Sequence, residues 1–162
     1  MNLQKLVDLS LQFNAISGAD KEIDSDALSK QVRFVKDETN ELRMASAGWR
    51  VLEQYEGEIV KEALDVLVTV VGVLQKMQNR GYDVESAAEA VGLNNLSKYP
   101  KTHTEAMQSL QDLANQGVNA YVSYNPVYDC YVIRDVEAGK VRKPSSYQKV
   151  DSGLFKKGVQ DV

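Results

Sequence analysis

Two pairs of carboxylates stand at helical spacing, Glu38-Thr-Asn-Glu41 and Glu62-Ala-Leu-Asp65. At i,i+3 on a helix both members of a pair project from one face, one turn apart. Like charges so placed repel, so each pair asks for compensation. The row Phe34, Glu38, Glu41, Ala45 runs beside an apolar stripe, which turns the first pair toward a helix–helix seam. In the second pair, Asp65 lies within Ala63–Leu74, a stretch apolar apart from Asp65, Thr69 and Gly72. A lone buried carboxylate is costly unless it takes up a proton or finds a cation. Lys61, four residues before Asp65, is the basic residue close by and is expected to form a single ion pair. If the two helices are antiparallel neighbours, Glu38, Glu41, Glu62 and Asp65 converge on one point. Mg²⁺ suits such a group, because it takes hard oxygen ligands and retains waters for substrate phosphates. Taken singly, a Glu-x-x-Glu is usually a solvated face and an Asp in an apolar helix a structural ion pair. Both pairs on consecutive helices favour the metal.

The elements that must position these residues follow from apolar spacing and breakers. The first 99 residues lack proline, which leaves room for long helices. Leu3, Leu6, Val7, Leu9 or Ser10, and Phe13 mark a first helix that Gly18 ends. A second, capped by Ser25 or Asp26, carries Leu28, Val32, Val35, Thr39 and Leu42 as its stripe and stops near Gly48. The third runs from about Gln54 to Asn79 and closes at Gly81. Its valines would suit a strand, but its length argues for a helix. Being apolar all round, it is expected in the middle of a bundle or at an oligomer interface. A short helix from Val84 to Val91 follows, then a loop, then a helix from His103 to Gln116. Residues 120–124 and 128–134 read as a hairpin around Asn125-Pro126, and the tail from Lys143 as extended. The expected fold is mainly α: a helical bundle with a small C-terminal β-hairpin. One domain is expected, with a helical core over 1–100 and a helix-plus-hairpin extension over 101–162.

Composition narrows the function. The chain has 162 residues, 19 basic and 23 acidic side chains and a formal net charge of -4, which argues against a nucleic-acid binder working by counterion release. One cysteine, Cys130, and one histidine, His103, exclude disulfide frameworks, multi-cysteine metal sites and two-histidine catalysis. The segment Met1–Phe13 has no signal-peptide apolar block, and no apolar run approaches the ~20 residues of a membrane span. A cytoplasmic protein without membrane partners is expected.

Glu38-x-x-Glu41 followed by Glu62-x-x-Asp65 resembles the signature of the all-α nucleoside triphosphate pyrophosphohydrolases, which include MazG proteins, dimeric dUTPases and phosphoribosyl-ATP pyrophosphohydrolases. Gly81-Tyr-Asp83, Asn95-Leu-Ser-Lys98, Gly139-Lys-Val-Arg-Lys-Pro144 and Tyr147 extend the resemblance to the MazG-like and phosphoribosyl-ATP-pyrophosphohydrolase-like, phage-type branch. It covers about residues 3–100 and 131–150, and leaves 101–130 as an insertion. That branch commonly has Glu-Val-His shortly before Asn-x-Ser-Lys, where this chain has Ala90-Val91-Gly92, so no role passes to a histidine there.

The resemblance implies a MazG-like bundle that cleaves a (d)NTP, with dGTP, GTP and dUTP among the substrates of the family, between its α and β phosphates. Mg²⁺, with Mn²⁺ as substitute, would sit on Glu38, Glu41, Glu62 and Asp65, and Glu38 or Glu41 would orient or deprotonate the attacking water. Asn95, Ser97 and Lys98 are the foremost phosphate-binding candidates. Arg33, Lys36, Lys61, Lys140 and Lys143 are lesser ones. Near the first helix, Phe13 would stack on the base and Asn14 bond its edge, although Phe13 at helical spacing fits a core position better. Trp49 fits a packing anchor better than a stacking platform, and the tyrosines 121, 124, 128 and 131 fit hairpin packing. His103 is expected to be exposed and Cys130 to pack in the hairpin. The resemblance implies a homodimer or homotetramer, in host cytoplasm if phage-encoded. The competing expectation is a non-enzymatic helical interaction protein whose apolar third helix forms a dimer seam.

Overall fold

The computed structural model of the chain describes residues 3–49 and 56–156. It is mainly helical, with a two-stranded antiparallel sheet near the C-terminus. The elements are α1 (Gln4–Ser17), α2 (Ser25–Trp49), α3 (Glu56–Asn79), α4 (Val84–Leu96), α5 (His103–Asn115), β1 (Ala120–Asn125) and β2 (Cys130–Asp135), with a 3₁₀ turn at Ser152–Phe155. The expected start of the third helix at Gln54 lies outside the described residues. The chain divides into two compact units, residues up to Val84 together with those from Phe155, and Glu85–Leu154. The division falls at Val84/Glu85, so α4, expected to end at Val91 but reaching Leu96, belongs with α5 and the hairpin.

In the first unit α2 and α3 pack along much of their lengths, and α1 packs on α3. The register is antiparallel: Gln31 Nε2 donates to Thr69 O at 3.0 Å, while Glu38 and Glu41 on α2 meet Glu62 on α3. Gly72 makes room for the Gln31 amide, since a Cβ there would lie 2.5 Å from Gln31 Nε2. Asp24 is the residue that caps α2, accepting from Ala27 N–H at 2.7 Å. Ser25 and Asp26, expected as caps, are already inside the helix. At the other end of α3, the buried Lys76 ammonium donates to Ala19 O (2.6 Å) and Glu22 O (2.8 Å). Asn79 and Arg80 donate to Asp20 O and Ile23 O, so two polar side chains of α3 and the residue that follows it gather the carbonyls of the α1–α2 loop. Phe155 O accepts from Asp83 N–H, and Tyr82 bridges to Lys156.

Three packing expectations are corrected. On α1 the inward residue is Ser10, buried and bonded to Leu6 O, whereas Leu9, Phe13 and Ile16 form an exposed row at i, i+4, i+7. Phe13 is 67% exposed and is not core. On α2, Val32 and Phe34 are exposed and the half-buried row is Gln31, Val35, Glu38, Leu42, Ala45. On α3, Val71 is the buried apolar side chain, while Val60 and Leu74 are exposed. Trp49 ends α2 at 45% exposure.

In the second unit β1 and β2 pair from Ala120↔Asp135 to Asn125↔Cys130. Pro100 O accepts from Tyr131 N–H and Ile133 O from Arg142 N–H, so the free edge of β2 is covered. Ile133 and Ala106 are fully buried, and Cys130 packs in the hairpin as expected. Tyr124 and Tyr131 stand opposite in register, ring centroids 5.1 Å apart, and exposed His103 meets the edge of Tyr131.

Gly72→Leu, which overfills the α2–α3 approach, is expected to lower unfolding free energy by about 1–3 kcal/mol in urea titration. Lys76→Met, which keeps the aliphatic stem but removes the buried ammonium's bonds to Ala19 O and Glu22 O, is expected to lose about 1–3 kcal/mol in the same measurement.

Candidate metal centre

Glu38 and Glu41 come from α2 and Glu62 from α3, and the antiparallel register sets them side by side. One oxygen from each lies within 4.8 Å of the others. Three unit charges at that spacing repel even across water, and more where solvent is partly excluded. Glu38 responds: its carboxyl is held above the ordinary glutamate range, first by burial and then by the charges of Glu41, Asp65 and Glu62.

Glu62 is the buried member, its side chain 9% exposed. Lys61 Nζ donates to its Oε1 at 2.7 Å, and Oε2 is buried with no hydrogen-bond partner. Lys61 also reaches Asp65 Oδ2 at 3.1 Å. It therefore bridges two carboxylates where a single ion pair was expected. Those bonds, to Glu62 foremost and then Asp65, hold its ammonium in the charged form above the usual lysine range. Lys61 itself is 59% exposed, so water screens both pairs and they leave Glu62 Oε2 unsatisfied.

Asp65 is not the buried carboxylate the apolar run suggested. Its side chain is 42% exposed, and it stands outside the group of three. Its charge still acts on Glu38, which keeps it within electrostatic reach of the cluster. Beside the carboxylates opens a cavity of about 740 Å³, lined by Asn40, Glu41, Met44, Ala45, Glu58 and Glu62 among others. Glu58 was not foreseen. It precedes Glu62 by one helical turn, and extending Glu62-x-x-Asp65 backward by four would have found it.

The proposed base-binding residues lie elsewhere on this unit. Asn14 Nδ2 donates to Gln75 Oε1 at 2.8 Å, and Gln75 follows Glu62 by thirteen residues, about 20 Å along a helix. Phe13 faces solvent next to it. Asn95, Ser97 and Lys98 belong to the second unit, at the end of α4. Lys98 Nζ donates there to Asn95 Oδ1 at 2.6 Å and Ser97 Oγ to Asn94 O at 2.7 Å. Lys140 and Lys143 lie in the same unit, the latter 4.2 Å from the Tyr147 ring centroid. No helix among the described residues is long and apolar enough to cross a membrane.

The donor set is all carboxylate and crowded, with an orphaned buried oxygen. It is the arrangement a small divalent cation with hard-oxygen preference would neutralise. Comparison of the chain with protein-family models, curated proteins and solved structures gives no match, so the functional reading rests on this geometry and on the sequence resemblance.

Because the folded pKa of Glu38 is raised, ionised Glu38 destabilises the metal-free protein. That penalty is complete above the folded pKa and disappears as pH falls below the unfolded value. Glu38→Gln is accordingly expected to be more stable than the parent at pH 7 in chelator. The difference should close through the carboxylate range, as read by thermal melts at stepped pH.

Proposed function

We propose that the protein is a Mg²⁺-dependent nucleoside triphosphate pyrophosphohydrolase converting a (d)NTP to (d)NMP and pyrophosphate. The observation that carries this reading is the convergence of Glu38, Glu41 and Glu62, whose buried member keeps Oε2 without a hydrogen-bond partner. Glu38, Glu41 and Glu62, with Asp65 at the rim, would hold the ion, and Mn²⁺ would substitute. When bound, the ion neutralises phosphate oxygens and acidifies a water.

The chain's own residues supply the rest. Glu38 or Glu41 orients the attacking water and accepts its proton. Lys61 is 59% exposed beside the cluster, where it can trade its carboxylate partners for a phosphate oxygen. The cavity along Met44 and Ala45 can receive the apolar part of a nucleotide next to the carboxylates. The exposed row Leu9, Phe13, Ile16, with Val32 and Val60, favours a homodimer or homotetramer in which a second copy covers apolar surface. The same row supports the alternative, a non-enzymatic helical interaction protein.

Purified protein incubated with dGTP, GTP, dUTP and the other dNTPs plus Mg²⁺ is expected to release monophosphate and pyrophosphate from at least one. Glu62→Gln should lose ~100-fold or more of that turnover, about 2.7 kcal/mol of barrier, while keeping its helical circular dichroism. Mg²⁺ should raise the melting temperature of the parent but not of Glu62→Gln. No release from any nucleotide, with no stabilisation by Mg²⁺, would establish the interaction protein instead.

A further inference from the structure

A second cavity, of about 480 Å³, lies wholly in the second unit. Side chains of a strand alternate between its faces. On β2 the edge contact between His103 of α5 and Tyr131 places α5 on the Tyr131/Ile133 side. Cys130, Val132 and Arg134 therefore share the opposite side, and all three line the cavity. Cys130 and Val132 form an apolar floor, 5% and 8% exposed. Tyr99 and Tyr128 add rings to the walls, and Lys101 adds a second cation.

The charge is one-sided. No carboxylate lines the cavity, and among the described residues neither Lys101 nor Arg134 forms an ion pair. Their hydrogen bonds go to carbonyls, Lys101 Nζ to Tyr128 O at 3.3 Å and one terminal nitrogen of Arg134 to Gly139 O at 3.2 Å. A guanidinium carries five donors in a planar fork and an ammonium three, so both keep donors for an anion. Cavities of a few hundred Å³ with an apolar body and a few polar groups are the usual form of small-ligand sites.

We propose that this cavity binds a small organic anion with a flat apolar body. The body lies over Val132 and Cys130 between the tyrosine rings, and Lys101 and Arg134 hold its carboxylate or phosphate. The chemistry fits an aryl carboxylate and a nucleoside 5′-monophosphate alike. It does not involve the carboxylate cluster and stands whether or not that cluster cleaves nucleotides.

The full chain in chelator, which removes divalent ions from the acidic cluster, is titrated by calorimetry with 1-naphthoate and with AMP and GMP. Inorganic phosphate and uncharged 1-naphthalenemethanol serve as controls. Cys130 is the single cysteine, so its N-ethylmaleimide labelling, read by intact mass, reports occupancy of this cavity alone. At least one organic anion should bind saturably and slow the labelling, and the two controls should not. The arm that binds, naphthoate or nucleotide, identifies the ligand class. Lys101→Gln/Arg134→Gln should weaken binding by about tenfold or more with an unchanged melting temperature. Absence of binding by every organic anion, equal binding of the neutral alcohol, or full affinity in the double variant would overturn the proposal. Where free Cys130 does not react, the calorimetric comparison of parent and double variant decides.

Discussion

Repulsion among carboxylates at the seam of α2 and α3 is the constraint around which the first unit is arranged. Packing two long helices antiparallel buries their half-apolar stripes, and the same register forces Glu38, Glu41 and Glu62 to within a few ångströms. The seam tolerates this because it is held elsewhere. Gln31 fills the space that Gly72 leaves and bonds the α3 backbone, and Lys76 ties the far end of α3 to the loop that feeds α2. Lys61 offsets part of the charge but is anchored on the solvent side, where screening weakens its hold. Oε2 of Glu62 stays buried without a hydrogen-bond partner at this seam.

The second unit treats an acidic side chain in the opposite way. Asp135, buried at the end of β2, accepts from the backbone N–H groups of Ala138 and Glu137 and pairs with Arg142. Its carboxyl is pulled below the ordinary aspartate range, by the Ala138 bond first and the Arg142 bond next. Burial first and neighbouring carboxylates next push Glu38 up, whereas converging hydrogen-bond donors pull Asp135 down. Asp135 thus acts as a turn-forming brace that favours folding above the carboxylate range, whereas ionised Glu38 opposes folding there.

The two cavities divide along the same line. One borders the acidic cluster and offers Met44 and Ala45 as its apolar lining. The other presents two unpaired cations over an apolar floor. Charges of opposite sign, each in its own compact unit, make it unsurprising that one chain could hold a cation and an organic anion at different places.

Much of this was legible in the residues. Helix spans and the hairpin follow from spacing, glycine stops and the absence of proline, because those signals act over one or two turns and need no partner. The i,i+3 pairing of the carboxylates is equally local. What the sequence could not decide is which of two plausible faces meets a neighbour. On α1, Leu9, Phe13 and Ile16 are as apolar as Leu6 and Leu11, and only the position of α3 sends Phe13 to solvent and Ser10 inward. Glu62 and Asp65 differ by only about 60° around the helix axis, so a small rotation of α3 against α2 determines which carboxylate is buried. The cavity over Cys130 and Arg134 joins residues more than thirty positions apart, from Tyr99 to Arg134, and exists only because the chain before α5 returns to the free edge of β2. Local spacing set the elements and the charges they carry, and tertiary packing alone chose which charges face each other, since burial is a property of neighbours in space and not in the chain.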